Sequence, residues 1–172
     1  VLAVAFGIVS VWLSTREHLW SWPTALVNVS LYFVLFWRTK LYADMGLQVV
    51  YFVLSLYGWY QWRFGGAHRT TLHVSRLPRR TAWALVALVI GCTALLATLL
   101  SRLTDASLPW VDSLTTSTSL AAQWMMTRKI LENWIVWACV DVVYVGMFLY
   151  KSLYLTAALY AGFFVLAIMG HR

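Results

Sequence analysis

Charge is scarce in this sequence. Only 11% of its 172 residues are charged and only six are acidic, whereas a soluble domain of this length carries about a quarter charged residues. Too few charges remain to hydrate the surface of a free globule, so a soluble monomer is excluded. Cysteine is nearly absent as well. Cys92 and Cys139 both fall inside apolar runs without metal-ligand spacing and read as small core residues. No metal-ligand set, no phosphate-binding glycine loop and no Ser/His/Asp triad occurs, so cofactors and metals are not expected and a primary ATP-driven pump is unsupported.

What is present is apolar. Hydrophobic residues make up 62% of the chain and the mean hydropathy is +0.73, which fits a lipid bilayer as solvent. The net charge of +7 does not indicate nucleic acid, because the basic residues lie between long apolar runs and are not mixed with aromatics on one polar face.

A membrane helix needs about 20 mostly apolar residues. Seven candidates follow, at Val1 to Ser14, Leu19 to Trp37, Leu41 to Phe64, Thr81 to Ser101, Pro109 to Thr127, Ile130 to Tyr150 and Leu153 to Gly170. The first begins inside its apolar stretch, lacks a basic leader, and is expected to be a clipped span rather than a signal peptide. All connections are short except Arg63 to Arg80, so neighbours run antiparallel. Sorting Lys and Arg by side puts Arg16, Arg63, Arg69, Arg76, Arg79, Arg80, Arg128, Lys129 and Arg172 together, against Arg38, Lys40, Arg102 and Lys151. The richer side is expected in the cytoplasm, with the N terminus outside and the C terminus inside. Trp20, Trp22, Trp59, Trp62, Trp110 and Tyr150 suit interfacial belts.

An offset of 112 residues aligns the chain with itself without gaps, pairing Trp22 with Trp134, Tyr32 with Tyr144, Phe36 with Phe148, Leu41-Tyr42 with Leu153-Tyr154, Leu47 with Leu159, Phe52-Val53-Leu54 with Phe164-Val165-Leu166, and Gly58 with Gly170. The second and third spans thus correspond to the sixth and seventh, in the same direction. A three-span unit needs one extra span to restore orientation, and Thr81 to Ser101 fits that need, with Thr93 and Thr98 its only interior polar side chains. The expected architecture is an all-α membrane protein with seven transmembrane helices in a 3+1+3 parallel repeat. It divides into a first repeat with its basic loop (1–80), a linker helix (81–108) and a second repeat (109–172). Transporters of this kind hold substrate at the repeat interface.

An ionisable residue deep in a span is expensive and marks a candidate site. Asp141 shares a helical stripe with Trp134, Trp137, Tyr144 and Phe148. Indoles, a phenol and a carboxylate on one face suit a flat, cationic aromatic ligand; the alternative is an aromatic packing stripe with Asp141 bonded to a neighbouring helix. Asn28 and Tyr32 lie at corresponding depth in the second span. In the third, Gln48 and Tyr51 are deep enough to reach a ligand, Ser55 shares their face, and Asp44 is expected to pair with Lys40. In the fifth, Asp112, Thr116, Ser119 and Gln123 form a stripe in which the small hydroxyls suit packing and Gln123 suits ligand contact. His68 and His73 read as solvated surface residues.

Two elements then point to a family. Lys40 to Tyr51 (KLYADMGLQVVY) followed by Tyr57 to Trp62 (YGWYQW), and Glu132 to Trp137 (ENWIVW) followed by Leu153 to Tyr160 (LYLTAALY), resemble the Pnu family of bacterial vitamin transporters, on its nicotinamide riboside branch, over essentially the whole chain. The resemblance implies a SWEET-like full-length fold and a homotrimer in the bacterial inner membrane. It also implies facilitated diffusion of an unphosphorylated vitamin, with trapping by a cytoplasmic kinase. It places Trp134 and Trp137, a WxxW element, beside the substrate, and Asn28, Gln48 and Tyr51 along the pocket; position 141 varies between amide and acid in the family. Nicotinamide riboside is the first expectation, thiamine the second and riboflavin the third. A membrane-embedded lipid enzyme would need a metal or reactive side chain that this sequence does not offer.

Overall fold

The computed structural model describes residues 2–38, 42–103, 108–150 and 152–172, with side chains throughout except at residues 42–44. Long apolar runs leave the backbone no solvent partner in lipid, so helices, which satisfy their own hydrogen bonds, are the local solution. Seven α-helices form: α1 (Leu2–Thr15), α2 (Ser21–Arg38), α3 (Tyr42–Phe64), α4 (Arg79–Leu103), α5 (Pro109–Thr127), α6 (Asn133–Tyr150) and α7 (Tyr154–His171). No strand occurs among the described residues beyond one isolated bridge, Ser75 to Ile130.

Three of these helices, α4, α6 and α7, are long and apolar enough to cross a membrane, and α1 is a shorter apolar helix. The others fall short for a readable reason. α5 buries Ser113, Thr115, Ser117 and Ser119, and α2 and α3 carry Asn28, Gln48 and Ser55 toward an internal cavity. Polar groups turned inward lower a helix's average hydropathy without meeting lipid.

Six helices close a ring in the order α1, α2, α3, α5, α6, α7, each packed on the next and α7 back on α1, while α4 stands outside against α5. α2 and α6 thus face each other across the interior. The connection α1–α2 and the connection α5–α6 are the same turn. α1 ends with Glu17 N–H on the Ser14 carbonyl and His18 N–H on the Leu13 carbonyl, and α5 with Lys129 N–H on the Met126 carbonyl and Ile130 N–H on the Met125 carbonyl, each at 3.0 Å. Both are Schellman closures, a form that puts the residue after the cap in the left-handed region. Glu17 (φ 51) and Lys129 (φ 50) occupy it although neither is glycine. Thr15 Oγ1 donates to the Trp12 carbonyl (2.7 Å) and Thr127 Oγ1 to the Trp124 carbonyl (2.6 Å).

Other pairings recur at the same spacing. Tyr32 stacks on Phe36 at 5.7 Å and 22°, and Tyr144 on Phe148 at 5.8 Å and 20°. A Cβ at Gly58 would fall inside the Trp22 ring, and one at Gly170 inside the Trp134 ring. Glycine is required at both places because each indole lies flat against the backbone.

One end of the ring collects the basic residues and is closed by a hydrophobic cluster of Trp22, Trp62, Met126, Trp134, Ala138 and Ala167. The long connection crosses this end as an extended strap. Leu72 N–H donates to the Trp62 carbonyl, Ser75 N–H to the Lys129 carbonyl, and Leu131 N–H to the Ser75 carbonyl. Leu77 N–H donates to Glu132 Oε2 at 2.9 Å.

Two expectations need correction. Trp22 and Trp62 are not interfacial: they are 2% and 5% exposed and form the core of the closed end, whereas Trp20, Trp110 and Tyr150 are exposed. Their indoles pack inward against the opposite turn, which proximity to a span's end does not reveal. Cys139 is exposed and Cys92 half-buried, so neither is a core residue. In a chain this apolar the outward faces are apolar too, and an apolar neighbourhood says nothing of burial. His68 and His73 are exposed. The Lys40–Asp44 pairing lies outside the described residues.

Candidate functional site

The ring encloses a cavity of about 420 Å³, within the usual range of small-molecule pockets. Asn28 and Tyr32 reach it from α2, Gln48 and Tyr51 from α3, Gln123 from α5, and Trp134, Trp137, Asp141 and Tyr144 from α6. All nine residues singled out in the sequence therefore line one space. Helical spacing explains the α6 contribution, because Trp134, Trp137, Asp141 and Tyr144 fall on one face over three turns. Phe148 continues the stripe but stacks behind Tyr144 instead of lining the cavity.

Asp141 is 4% exposed, and its carboxylate makes no hydrogen bond or ion pair among the described residues. Buried carboxylates need a partner, and this one faces the cavity. Trp22 Nε1 and Trp137 Nε1 are also buried without an acceptor and both rings line the same space. The site thus offers two unpaired indole donors and one unpaired carboxylate. Among the described lining residues Asp141 is the sole charge; there is no Lys, Arg or His.

Asn28 has a second use. Its Nδ2 donates to the Ala3 carbonyl at 2.6 Å, tying α2 to α1, and Gly7 leaves room for the amide. Ser55 and Ser119 line the cavity; Asp112 and Thr116 do not.

Several lining residues had no signal in the sequence. α1 contributes Gly7, Ser10 and Ser14; Ser10 Oγ donates to the Ser21 carbonyl at 2.8 Å. Small residues in an apolar run read as packing, and only the tertiary arrangement turns them inward. Tyr160 and Phe163 of α7 also line the cavity. Tyr160 is the hub of an aromatic wall, with ring centroids 4.7 Å from Tyr144, 5.3 Å from Phe148 and 5.8 Å from Phe163. Its place beside Tyr144 could have been read from the spacing of LYLTAALY relative to its copy, had that copy carried an aromatic there.

The arrangement can bind a flat ring between indoles and phenols, with a carboxylate for a cation or a sugar hydroxyl. It holds no constellation for covalent chemistry, and no group of three or more potential metal-ligating side chains occurs among the described residues.

Comparison with known proteins bears on this cavity. The family model described as Nicotinamide mononucleotide transporter matches residues 1–172. The chain is 27% identical to the nicotinamide riboside transporter PnuC of Escherichia coli (strain K12), over 96% of this chain and 80% of that protein. It is 28% identical to the riboflavin/roseoflavin transporter RibM of Streptomyces davaonensis, over 96% of this chain and 79% of that one. Its fold is similar to the crystal structure of the vitamin B3 transporter PnuC, with a TM-score of 0.76 and 25% identity, covering 99% of this chain and 77% of that one.

Proposed function

Because the chain belongs to the nicotinamide mononucleotide transporter family of membrane proteins, we propose that it takes up nicotinamide riboside, the unphosphorylated and positively charged nucleoside. The observation that carries this choice is the charge of the cavity: one carboxylate, Asp141, and no cation among the described lining residues. A phosphate ester such as the mononucleotide would need Arg, Lys or a helix N-terminus to compensate it, and would instead meet Asp141. A pyridinium ring meets indole and phenol faces, each worth about 0.5–2 kcal/mol to a cation, with a counter-charge beside it. Riboflavin, suggested by the similarity to RibM, is neutral and offers the carboxylate hydroxyls to hold but no charge to balance.

In this reading Trp134, Trp137, Tyr144 and Tyr51 sandwich the ring. Asp141 balances its charge or holds a ribose hydroxyl, and Asn28, Tyr32, Gln48 and Gln123 bond the amide and sugar. The two unpaired indole N–H groups are donors for the same oxygens. No nucleotide-binding loop occurs in the sequence, which supports facilitated diffusion, with phosphorylation in the cytoplasm trapping the product. The repeated turn, the repeated Tyr–Phe stack and the repeated Trp–Gly contact support a seven-span, 3+1+3 parallel repeat. Its units are 1–80, 81–108 and 109–172, SWEET-like in kind and assembled as a homotrimer in the bacterial inner membrane. The basic end faces the cytoplasm, as the positive-inside rule favours.

Calorimetric titration of the purified protein with nicotinamide riboside, its mononucleotide, thiamine and riboflavin tests the assignment. Nicotinamide riboside binds, and the mononucleotide binds at least about 100-fold more weakly, as an uncompensated buried charge demands. Trp137→Ala weakens nicotinamide riboside by about tenfold through lost stacking while the thermal transition stays in place. Equal affinity for the mononucleotide, or binding of thiamine alone, would overturn the assignment; thiamine shares the cationic aromatic ring and is the second reading.

A further inference from the structure

At the basic end the cavity stops against Trp22, Met126 and Trp134. Trp62 covers this floor, edge to face on Trp22 at 5.3 Å, and its Nε1 donates to the Met126 carbonyl at 3.0 Å. Lys129 lies over the Trp62 ring, with Nζ 4.7 Å from the centroid, and pairs with Glu17 Oε2 at 2.9 Å. One ammonium therefore joins three places: the α1–α2 turn through Glu17, α3 through Trp62, and the α5–α6 turn through its own backbone. Three polar ties at this end, Lys129 to Glu17, Trp62 to Met126 and Arg128 to Tyr57, run between residues of the first three helices and residues of the last three. Within each set of three, by contrast, an indole lies pressed on a glycine, Trp22 on Gly58 and Trp134 on Gly170. The plane of least resistance passes through Lys129.

The tie is weak in the right way. The Lys129 side chain is 10% exposed and that of Glu17 is 55% exposed, and a half-solvated ion pair contributes little by itself. A seal that opens in every cycle has to be close in energy to its open form.

We infer that Lys129 is the positioning residue of a gate at the basic end: paired with Glu17 it holds Trp62 over the cavity floor, and parting of the two turns lifts Trp62 and opens the cavity to that side. The inference rests on the transport reading above. Opening breaks three contacts together, Lys129 with Glu17, Lys129 with Trp62, and Trp62 with Met126. The strap, paired to the α5–α6 turn through Ser75 and Leu77 and to α3 through Leu72, spans the parting line and limits its travel.

The test is cysteine accessibility in the full chain. With Cys92→Ala and Cys139→Ala as background, Ser21→Cys places a thiol in the cavity lining next to the floor. Vesicles presenting the basic end to the medium are treated with a membrane-impermeant maleimide. Lys129→Met, which keeps the stem and loses the charge, labels roughly five- to tenfold faster than the parent, from the combined loss of ion pair and ring contact. Lys129→Arg, which retains both, labels at the parental rate, and Glu17→Gln is intermediate. High salt accelerates the parent and leaves Lys129→Met unchanged. Thermal transitions of the purified variants exclude unfolding as the cause. Parental labelling in Lys129→Met, or an Arg variant as fast as the Met variant, overturns the gate. Labelling that follows Lys129 in a protein binding none of the four vitamins supports the gate and removes only the substrate assignment. Nicotinamide riboside binding with labelling indifferent to Lys129 removes only the gate.

Discussion

In the proposed function Asp141 carries the choice among ligands. Its carboxylate is nearly enclosed and lies on the same face as Trp134, Trp137 and Tyr144, so its preference should follow ligand charge. Asp141→Asn keeps the shape and removes the charge. It is expected to lower the ratio of affinities for nicotinamide riboside and its reduced, uncharged form by about tenfold, measured by titrating both ligands into both proteins. An unchanged ratio would assign Asp141 to sugar recognition. This residue was legible in the sequence because an acid inside an apolar run has few structural uses. Gln48, Tyr51 and Asn28 were legible for the same reason. Ser10 and Ser14 were not, since a small hydroxyl in a helix can bond its own backbone or a neighbour's and leaves no trace of direction. Trp22 and Trp62 were misread as interfacial because an indole near a span's end fits either lipid headgroups or a core. The cysteines failed for a related reason: the usual link between apolar and buried does not hold where the solvent is itself apolar.

Among the elements, the strap shows most clearly what local reading omits. The segment from Arg63 to Arg80 reads as a polar connection, with glycines at 65 and 66 and five arginines, Arg63, Arg69, Arg76, Arg79 and Arg80. Nothing in it announces that Ser75 pairs with Lys129 and Leu131, or that Leu77 rests on Glu132, because those partners lie more than 50 residues away. The helices themselves were legible to within a few residues, since each is a continuous apolar run bounded by charge. Glu132→Ala removes the side-chain acceptor under Leu77. Limited trypsin digestion is expected to cut at Arg76 and Arg79 several-fold faster in that variant, because cleavage requires a locally open backbone. Glu132→Gln, which keeps an acceptor, should digest at close to the parental rate. Equal digestion of all three would mean that the Ser75 pairing alone holds the strap.

For the whole molecule, the six-helix ring gathers Arg16, Arg63, Arg79, Arg128 and Arg172 at one end, because the ends of α1, α3, α5 and α7 and the start of α4 meet there. Lys and Arg near span ends set orientation. A reporter active only in the cytoplasm, fused after Arg172, is therefore expected to be active, and one active only outside to be silent; the reverse pattern would invert the proposed direction of the gate. From the 112-residue offset the sequence leads one to expect only that equivalent helices run the same way; it says nothing of a ring. The closure of the ring, with α3 on α5 and α7 on α1, was not legible, since contacts between the two sets depend on which small residues face which groove.

The Glu17–Lys129 pair has a consequence of its own. The two residues are 112 apart, so they fill one seat in two copies of the same turn, and equivalent seats can touch only beside an axis of approximate twofold rotation. Were the two halves identical and separate, whatever charge occupied that seat would confront its own kind. A tandem chain escapes this, because its halves can differ. The pair is therefore an attraction available to the joined protein and denied to a homodimer of its half, and it makes each half prefer its unlike partner over a second copy of itself.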